Sequence, residues 1–278
     1  MAGPALRLGA VAYDPKVVTI WEGFRDWFAA HDLPFDYVLY SDYERQVEAW
    51  AAGEVDVAWN SPLAWVRSRR LVPEAEAVAM RDTDCDLTSV VVVRADSGIT
   101  TAADLSSRRI GVGAVDSPQA TLIPLWHVAR EGARDLAVVH HNVAVGKHGD
   151  HVGGERDAAR ALVDGRVDAA CMIDGNHLVF TQEGTLPAGA TRILTQTPTY
   201  DHCNMTARGT GAGAHPLLGR FRELLLSMSY ADPDVRPLLD LEGLKEWRPG
   251  RTSGYTPLEA AVAEVGFYGE DGTPRYLG

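Results

Sequence analysis

No stretch of this 278-residue chain is apolar for long enough to cross a bilayer. Its start, MAGPALRLGAVAYDP, holds no apolar core of signal-peptide length and runs straight into a strand-like segment. As written, the chain is therefore expected to be cytoplasmic without membrane insertion, or periplasmic or extracellular if a leader was removed. Cysteine is scarce: Cys85, Cys171 and Cys203 are odd in number and off disulfide-framework spacing. That fits a reducing compartment, or at most one bridge. Basic residues are outnumbered, and the formal charge of −12 argues against nucleic acid or an anionic membrane as the main partner. It leaves a small organic anion as a partner, since a helix N-terminus or a few local cations can hold one. A nucleophile elbow, a P-loop, a Gly-x-Gly-x-x-Gly after a strand and a paired Cys-x-x-Cys are all missing, which removes the best-marked enzyme classes.

What is present is a repeat. Gln46–Val66 reads as the end of an amphipathic helix, a stop at Gly53, a buried strand Val55–Trp59 and a turn Asn60-Ser61-Pro62. Ala158–Phe180 repeats it, with a stop at Gly165, a strand Val167–Cys171 and the polar turn Asp174-Gly175-Asn176. Two copies of Gly-x-Val-Asp-x-Ala in matching contexts predict two similar lobes. Each delivers a polar turn from the C-terminal end of a strand, where open α/β sheets bind ligands.

In chain order, strand Leu6–Tyr13, helix Val18–His31, strand Pro34–Tyr40 and helix Tyr43–Ala52 lead into the first copy. This alternation predicts a parallel sheet covered on both faces. Ile20, Trp21, Phe24, Trp27 and Phe28 fall at 3–4 spacing and read as a core stripe. SVVVVR at 89–94 reads as a fully buried strand. The segment 200–208 reads as the return into the first lobe. Lobe one is thus expected over 1–92 plus 204–278, with 93–203 inserted as lobe two and two crossover strands acting as a hinge.

An ordered set of segments now carries a resemblance. The set is AGEVDVAWNSPLAWV at 52–66, SVVVVRADSGITTAADL at 89–105, IGVGAVDSPQATLIP at 110–124, DGRVDAA at 164–170 and TPTYDHCNMTAR at 197–208. Together they resemble two-lobed periplasmic-type solute-binding proteins of the phosphate/phosphonate branch. The resemblance implies an α/β periplasmic-binding-protein-like fold, each lobe a mixed, mostly parallel sheet flanked by helices, closing on a small anionic molecule. It implies Tyr13, Asn60, Ser61, Ser117, Gln119, Thr121, Asp174, Tyr200 and His202 as ligand-binding candidates, and an ABC permease as partner if the protein is exported. The family's phosphonate binders carry a Ser-Thr-Ser-Gly helix start. Here that place reads Ser117-Pro118-Gln119-Ala120-Thr121, which removes one N–H and the glycine.

A second reading stays open. His148-x-x-His151 with Glu155 has ligand-like spacing for iron or zinc, against the alternative of a solvated Gly/His-rich loop. His202 and Cys203 sit on the return strand, where neighbours face opposite sides, and His202 is the one expected to face the ligand. Asp82, Asp84 and Cys85 precede the first crossover and are expected to approach the same cleft, so a lyase or metal-dependent enzyme using His202, with His148 or His151, is the alternative. Some enzymes share this fold, and fold alone does not choose.

Overall fold

The computed structural model describes residues 4–149, 153–209 and 214–277. Contacts divide the chain into two compact units, Met1–Cys85 with Asp201–Tyr255, and Asp86–Tyr200 with Thr256–Gly278.

The first unit runs β1 (Leu6–Val11), α1 (Lys16–Ala30), β2 (Phe35–Tyr40), α2 (Tyr43–Ala52), β3 (Val57–Asn60), α3 (Pro62–Leu71) and β4 (Ala75–Arg81). Its six-stranded sheet has the order β11-β4-β10-β3-β1-β2, where β10 and β11 are the late strands Asn204–Arg208 and Trp247–Pro249. β1 pairs parallel with β2 and β3, while β10 enters antiparallel between β3 and β4. The aromatic stripe of α1 is core: Trp21, Phe24 and Phe28 are buried, and Phe28 meets Phe35 and Phe221 at ring distances of 4.8 and 5.2 Å. Each such ring contributes about 2–3 kcal/mol by leaving water.

The second unit contains β5 (Ser89–Arg94), β6 (Arg109–Val112), α4 (Ile123–Arg130), β7 (Ala137–His140), α5 (Gly153–Val163), β8 (Ala169–Ile173), α6 (Asp174–Gln182) and β9 (Thr191–Gln196). Its five-stranded sheet has the order β7-β6-β8-β5-β9. The valines of β5 are fully buried because helices cover both faces: Val90 and Val92 pack with α5, Val91 and Val93 with β6 and α4 residues.

The sequence repeat is a structural repeat. Gly53 and Gly165 both close a helix at positive φ, 79° and 72°. Asp56 exchanges two hydrogen bonds with the backbone of Arg7, each 2.8 Å. Asp168 does the same with Arg109, at 2.9 and 2.8 Å. The motif's valine, Val55 or Val167, packs where a side chain on Gly9 or Gly111 would stand, 3.2 Å from its Cβ in both units. The motif therefore fixes the register of one parallel strand against the next.

The tail departs from expectation. The sequence gives 204–278 to lobe one, yet the helix Thr256–Glu264 leaves Tyr255 for the second unit and packs on α4 and residues 118–122. Leu258, Ala261 and Val262 make its buried face. Helical periodicity reveals such a face but not the surface that covers it. The unit boundaries also fall at 85/86 and 200/201 rather than 92/93 and 203/204. Leu87 and Tyr200 exchange two 2.8 Å backbone bonds on one side of this boundary, and His202 N–H donates to Asp84 O at 2.8 Å on the other.

Candidate functional site

In the first unit, β1, β3 and β4 end at one edge, and the start of β10 joins them because Asn204 lies across from Asn60. Asn60 is completely buried beneath this edge. Its Nδ2 donates to Ser68 Oγ and Thr206 Oγ1 at 3.0 and 2.8 Å, and its Oδ1 accepts from Gln46 Nε2 at 2.9 Å. Both of its amide protons are thus engaged inside the unit. Ser61 caps α3: its Oγ accepts from Ala64 N–H at 3.2 Å and Pro62 follows at the first helical position. Tyr13, half-buried, follows β1, with Lys16 Nζ 5.9 Å from its ring centre.

His202 stands at the same edge with 12 % of its side chain exposed. Its Nδ1 lies 3.1 Å from Cys203 Sγ and 3.5 Å from Asp84 Oδ1. Asp84 is buried, and burial alone would raise its pKa. The Arg81 guanidinium, bonded to both of its oxygens at 2.6 and 3.0 Å, together with His202, instead holds it down at about 2. Arg81 is itself held by the Glu242 carbonyl at 2.8 Å and lies 5.2 Å from the Trp59 ring centre. Tyr255 OH donates to His202 O and accepts from Asn204 Nδ2, at 2.9 and 2.8 Å; burial pushes its pKa up. Next door, Arg251 forms a bidentate pair with the buried Asp201. A catalytic relay through His202 needs its two ring nitrogens to face different partners. Here thiol and carboxylate share Nδ1, so this arrangement is not a nucleophile–base–orienter chain.

In the second unit the corresponding edge lies after β6 and β8. Ser117 caps a single π-helical turn, 118–122, that precedes α4, and its Oγ accepts from Ala120 N–H at 3.2 Å. Thr121 Oγ1 donates to Ala114 O at 2.8 Å, and Gln119 Nε2 donates to Gly149 O at 2.7 Å. The hydroxyls proposed for an anion at this helix start are therefore engaged with the chain's own backbone, and Gly149 covers them. Gln119 Oε1 is buried without a hydrogen-bond partner. Ser89 Oγ donates to Gln119 O at 2.6 Å, so the buried Tyr200 OH, 2.7 Å away, is the donor to Ser89. Burial pushes the Tyr200 pKa up. Asp174, exposed at the start of α6, accepts from Thr88 Oγ1 at 2.8 Å and from Gly175 N–H at 2.6 Å.

Of the residues expected to bind metal, His148 is buried and Glu155 accepts from Ile173 N–H and Asn176 Nδ2 at 3.0 and 2.8 Å. His151 lies outside the described residues. Sequence reasoning did not find Arg81, Tyr255 or Asp201. The acidic turn 81–86 was the available signal for Arg81, whereas Tyr255 reaches the edge only through the fold.

A model of the phosphonate ABC transporter periplasmic substrate-binding protein family matches residues 10–255. Among solved structures, PhnD1 of Prochlorococcus marinus, in complex with methylphosphonate, is 17 % identical, with 94 % of this chain and 98 % of that one covered at a TM-score of 0.67. A Xanthomonas citri protein bound to chloride ion is 19 % identical over the same shares, 94 % and 98 %, at 0.71. The periplasmic aliphatic sulphonate binding protein of Escherichia coli is 16 % identical over 95 % and 92 %, at 0.58. At these identities the likeness shows a shared fold. Among the described residues, no helix is long and apolar enough to cross a membrane.

Proposed function

The chain belongs to the periplasmic substrate-binding family of phosphonate ABC transporters, and we propose from that premise that it binds an organic phosphonate or sulfonate and delivers it to a membrane permease. The family match over residues 10–255 carries this reading. The methylphosphonate-bound and sulphonate-binding relatives of the same fold support the ligand class. A periplasmic location for the working protein goes with it.

On the first unit, Tyr13, Ser61 and His202 are the groups we assign to the solute. The N-terminal end of α3 favours negative charge, and His202 presents an imidazole at that edge. Asn60 acts from below, holding β3 and β10 so that Ser61 starts the helix in place. On the second unit, Gln119 and Asp174 keep polar groups at the strand ends, while Ser117, Thr121 and Tyr200 shape the backbone around them.

Thermal shift against phosphonates, sulfonates and carboxylates tests this. A solute at a hundred times its Kd stabilises its protein by about 2.7 kcal/mol. Ser61→Ala and His202→Gln are each expected to weaken the solute that scores by about tenfold, a loss of roughly 1.4 kcal/mol. No shift from any phosphonate or sulfonate would remove the ligand assignment.

A further inference from the structure

Three chemically different donor atoms converge in the first unit: Asp84 Oδ1, His202 Nδ1 and Cys203 Sγ all lie within 4.8 Å of one another. Their measured separations from the imidazole nitrogen, 3.1 Å to sulfur and 3.5 Å to oxygen, can be compared with those around an ion. Tetrahedral zinc, with bonds of about 2.0–2.3 Å, sets its ligands on the order of 3.5 Å apart. We propose that Asp84, His202 and Cys203 form a binding site for one Zn²⁺ ion, with the fourth position left to water or another small ligand.

The shell around these atoms is built for rigidity. His202 is tied at both backbone groups, its N–H to Asp84 O and its carbonyl to Tyr255 OH. Cys203 is buried in the main core of the unit, immediately before β10. Arg81 holds both oxygens of Asp84, Nε donating to Oδ2 at 2.6 Å and Nη2 to Oδ1 at 3.0 Å, and is held in turn by the Glu242 carbonyl. A hydrogen-bonded carboxylate and pre-set ligands are what metal sites require of their surroundings. The donor set also selects the ion. Thiolate and imidazole favour zinc over calcium or magnesium, which take oxygen ligands.

Charge limits the affinity. The Arg81 guanidinium offsets the Asp84 carboxylate, so the net negative charge offered to the ion is that of the Cys203 thiolate. Binding must displace the thiol proton, and affinity is therefore expected to rise as pH rises. Cys85 does not join the group; its Sγ lies against Arg81 O at 3.4 Å. All three ligands belong to one unit, and His202 is shared with the solute assignment above, so Cys203→Ser, which touches no group assigned to the solute, separates the failure of one reading from the failure of the other.

The test uses the full chain without a polyhistidine tag, stripped with a chelator and titrated with Co²⁺, then Zn²⁺. The expected result is a thiolate-to-cobalt charge-transfer band saturating at one equivalent and abolished by one equivalent of Zn²⁺. The band should vanish in Cys203→Ser, persist in Cys85→Ser, and require at least tenfold more metal in His202→Gln, whose partly exposed side chain tolerates exchange if Cys203→Ser fails to fold. A His140→Gln control, at the end of β7 in the second unit, should titrate like the parent. No band in the parent, a band surviving both Cys203→Ser and His202→Gln, or one lost in Cys85→Ser would overturn the proposal.

Discussion

Replacing Asn60 by alanine distinguishes a scaffold role from a solute contact. The substitution removes three buried hydrogen bonds, to Ser68, Thr206 and Gln46. Each contributes a net of about 1 kcal/mol. Gln46 Nε2 keeps its 2.9 Å bond to Trp59 O but is left with one buried N–H unpaired, beside an Oε1 that already lacks a partner. Stranding that proton adds about 1 kcal/mol, for a total near 4 kcal/mol. Urea unfolding followed by tryptophan fluorescence reads the first unit almost alone, because six of the seven tryptophans (all but Trp126) lie in it. With a slope of about 2 kcal/mol per molar urea, the midpoint should fall by roughly 2 M at unchanged slope. Solute affinity, measured well below the new midpoint, should change less than about threefold. A midpoint lowered by under about 0.5 M together with a lost solute would refute the scaffold assignment and return Asn60 to the ligand.

Asp84 gives the pH dependence. Its carboxyl titrates near 3.8 when unfolded and at about 2 when folded, so the folded state favours the ionised form. This stabilisation, about 2 kcal/mol, is complete above roughly pH 4 and lost as pH falls from there towards about 2. Urea midpoints across that window should lose this slope in Asp84→Asn. Gly149→Ala would drive a Cβ into the side chains of Ser117 and Gln119 at a φ of +76°, and should lower the melting transition of the second unit by about 1–3 kcal/mol in calorimetry. An unchanged transition would mean the loop does not rest on that helix start. Ser89→Ala leaves the buried Tyr200 hydroxyl without its acceptor and should cost about 1–3 kcal/mol. Adding Tyr200→Phe should restore part of the loss, and a double variant less stable than Ser89→Ala would contradict the pairing.

Much of the architecture was legible because local physics wrote it. Gly53 and Gly165 stop helices by their own conformational freedom, and the alternation of strand and helix leaves few ways to build the sheets. The candidate residues were legible as polar groups at strand ends and turns, and their hydrogen-bond partners were not. Asn60, Ser117 and Thr121 read in the sequence as polar residues at turns, and in the fold their hydrogen bonds run to Ser68, Thr206, Ala120 and Ala114. A polar side chain at a strand end satisfies the chain or a ligand equally well on paper. Only the neighbours brought by folding decide which.

By itself, the sequence determined the two-unit plan, the strand-to-helix turns and the core stripe of α1, since each follows from contacts within a few turns of chain. The tertiary structure decided what comes from far apart. Residues 84 and 202 meet because β10 enters between β3 and β4, and Tyr255 reaches His202 across 53 positions. The helix at 256–264 chose the second unit because its apolar face found α4 there. Apolar burial is non-directional, so a sequence shows that a face must be covered while only the packed chain shows by what.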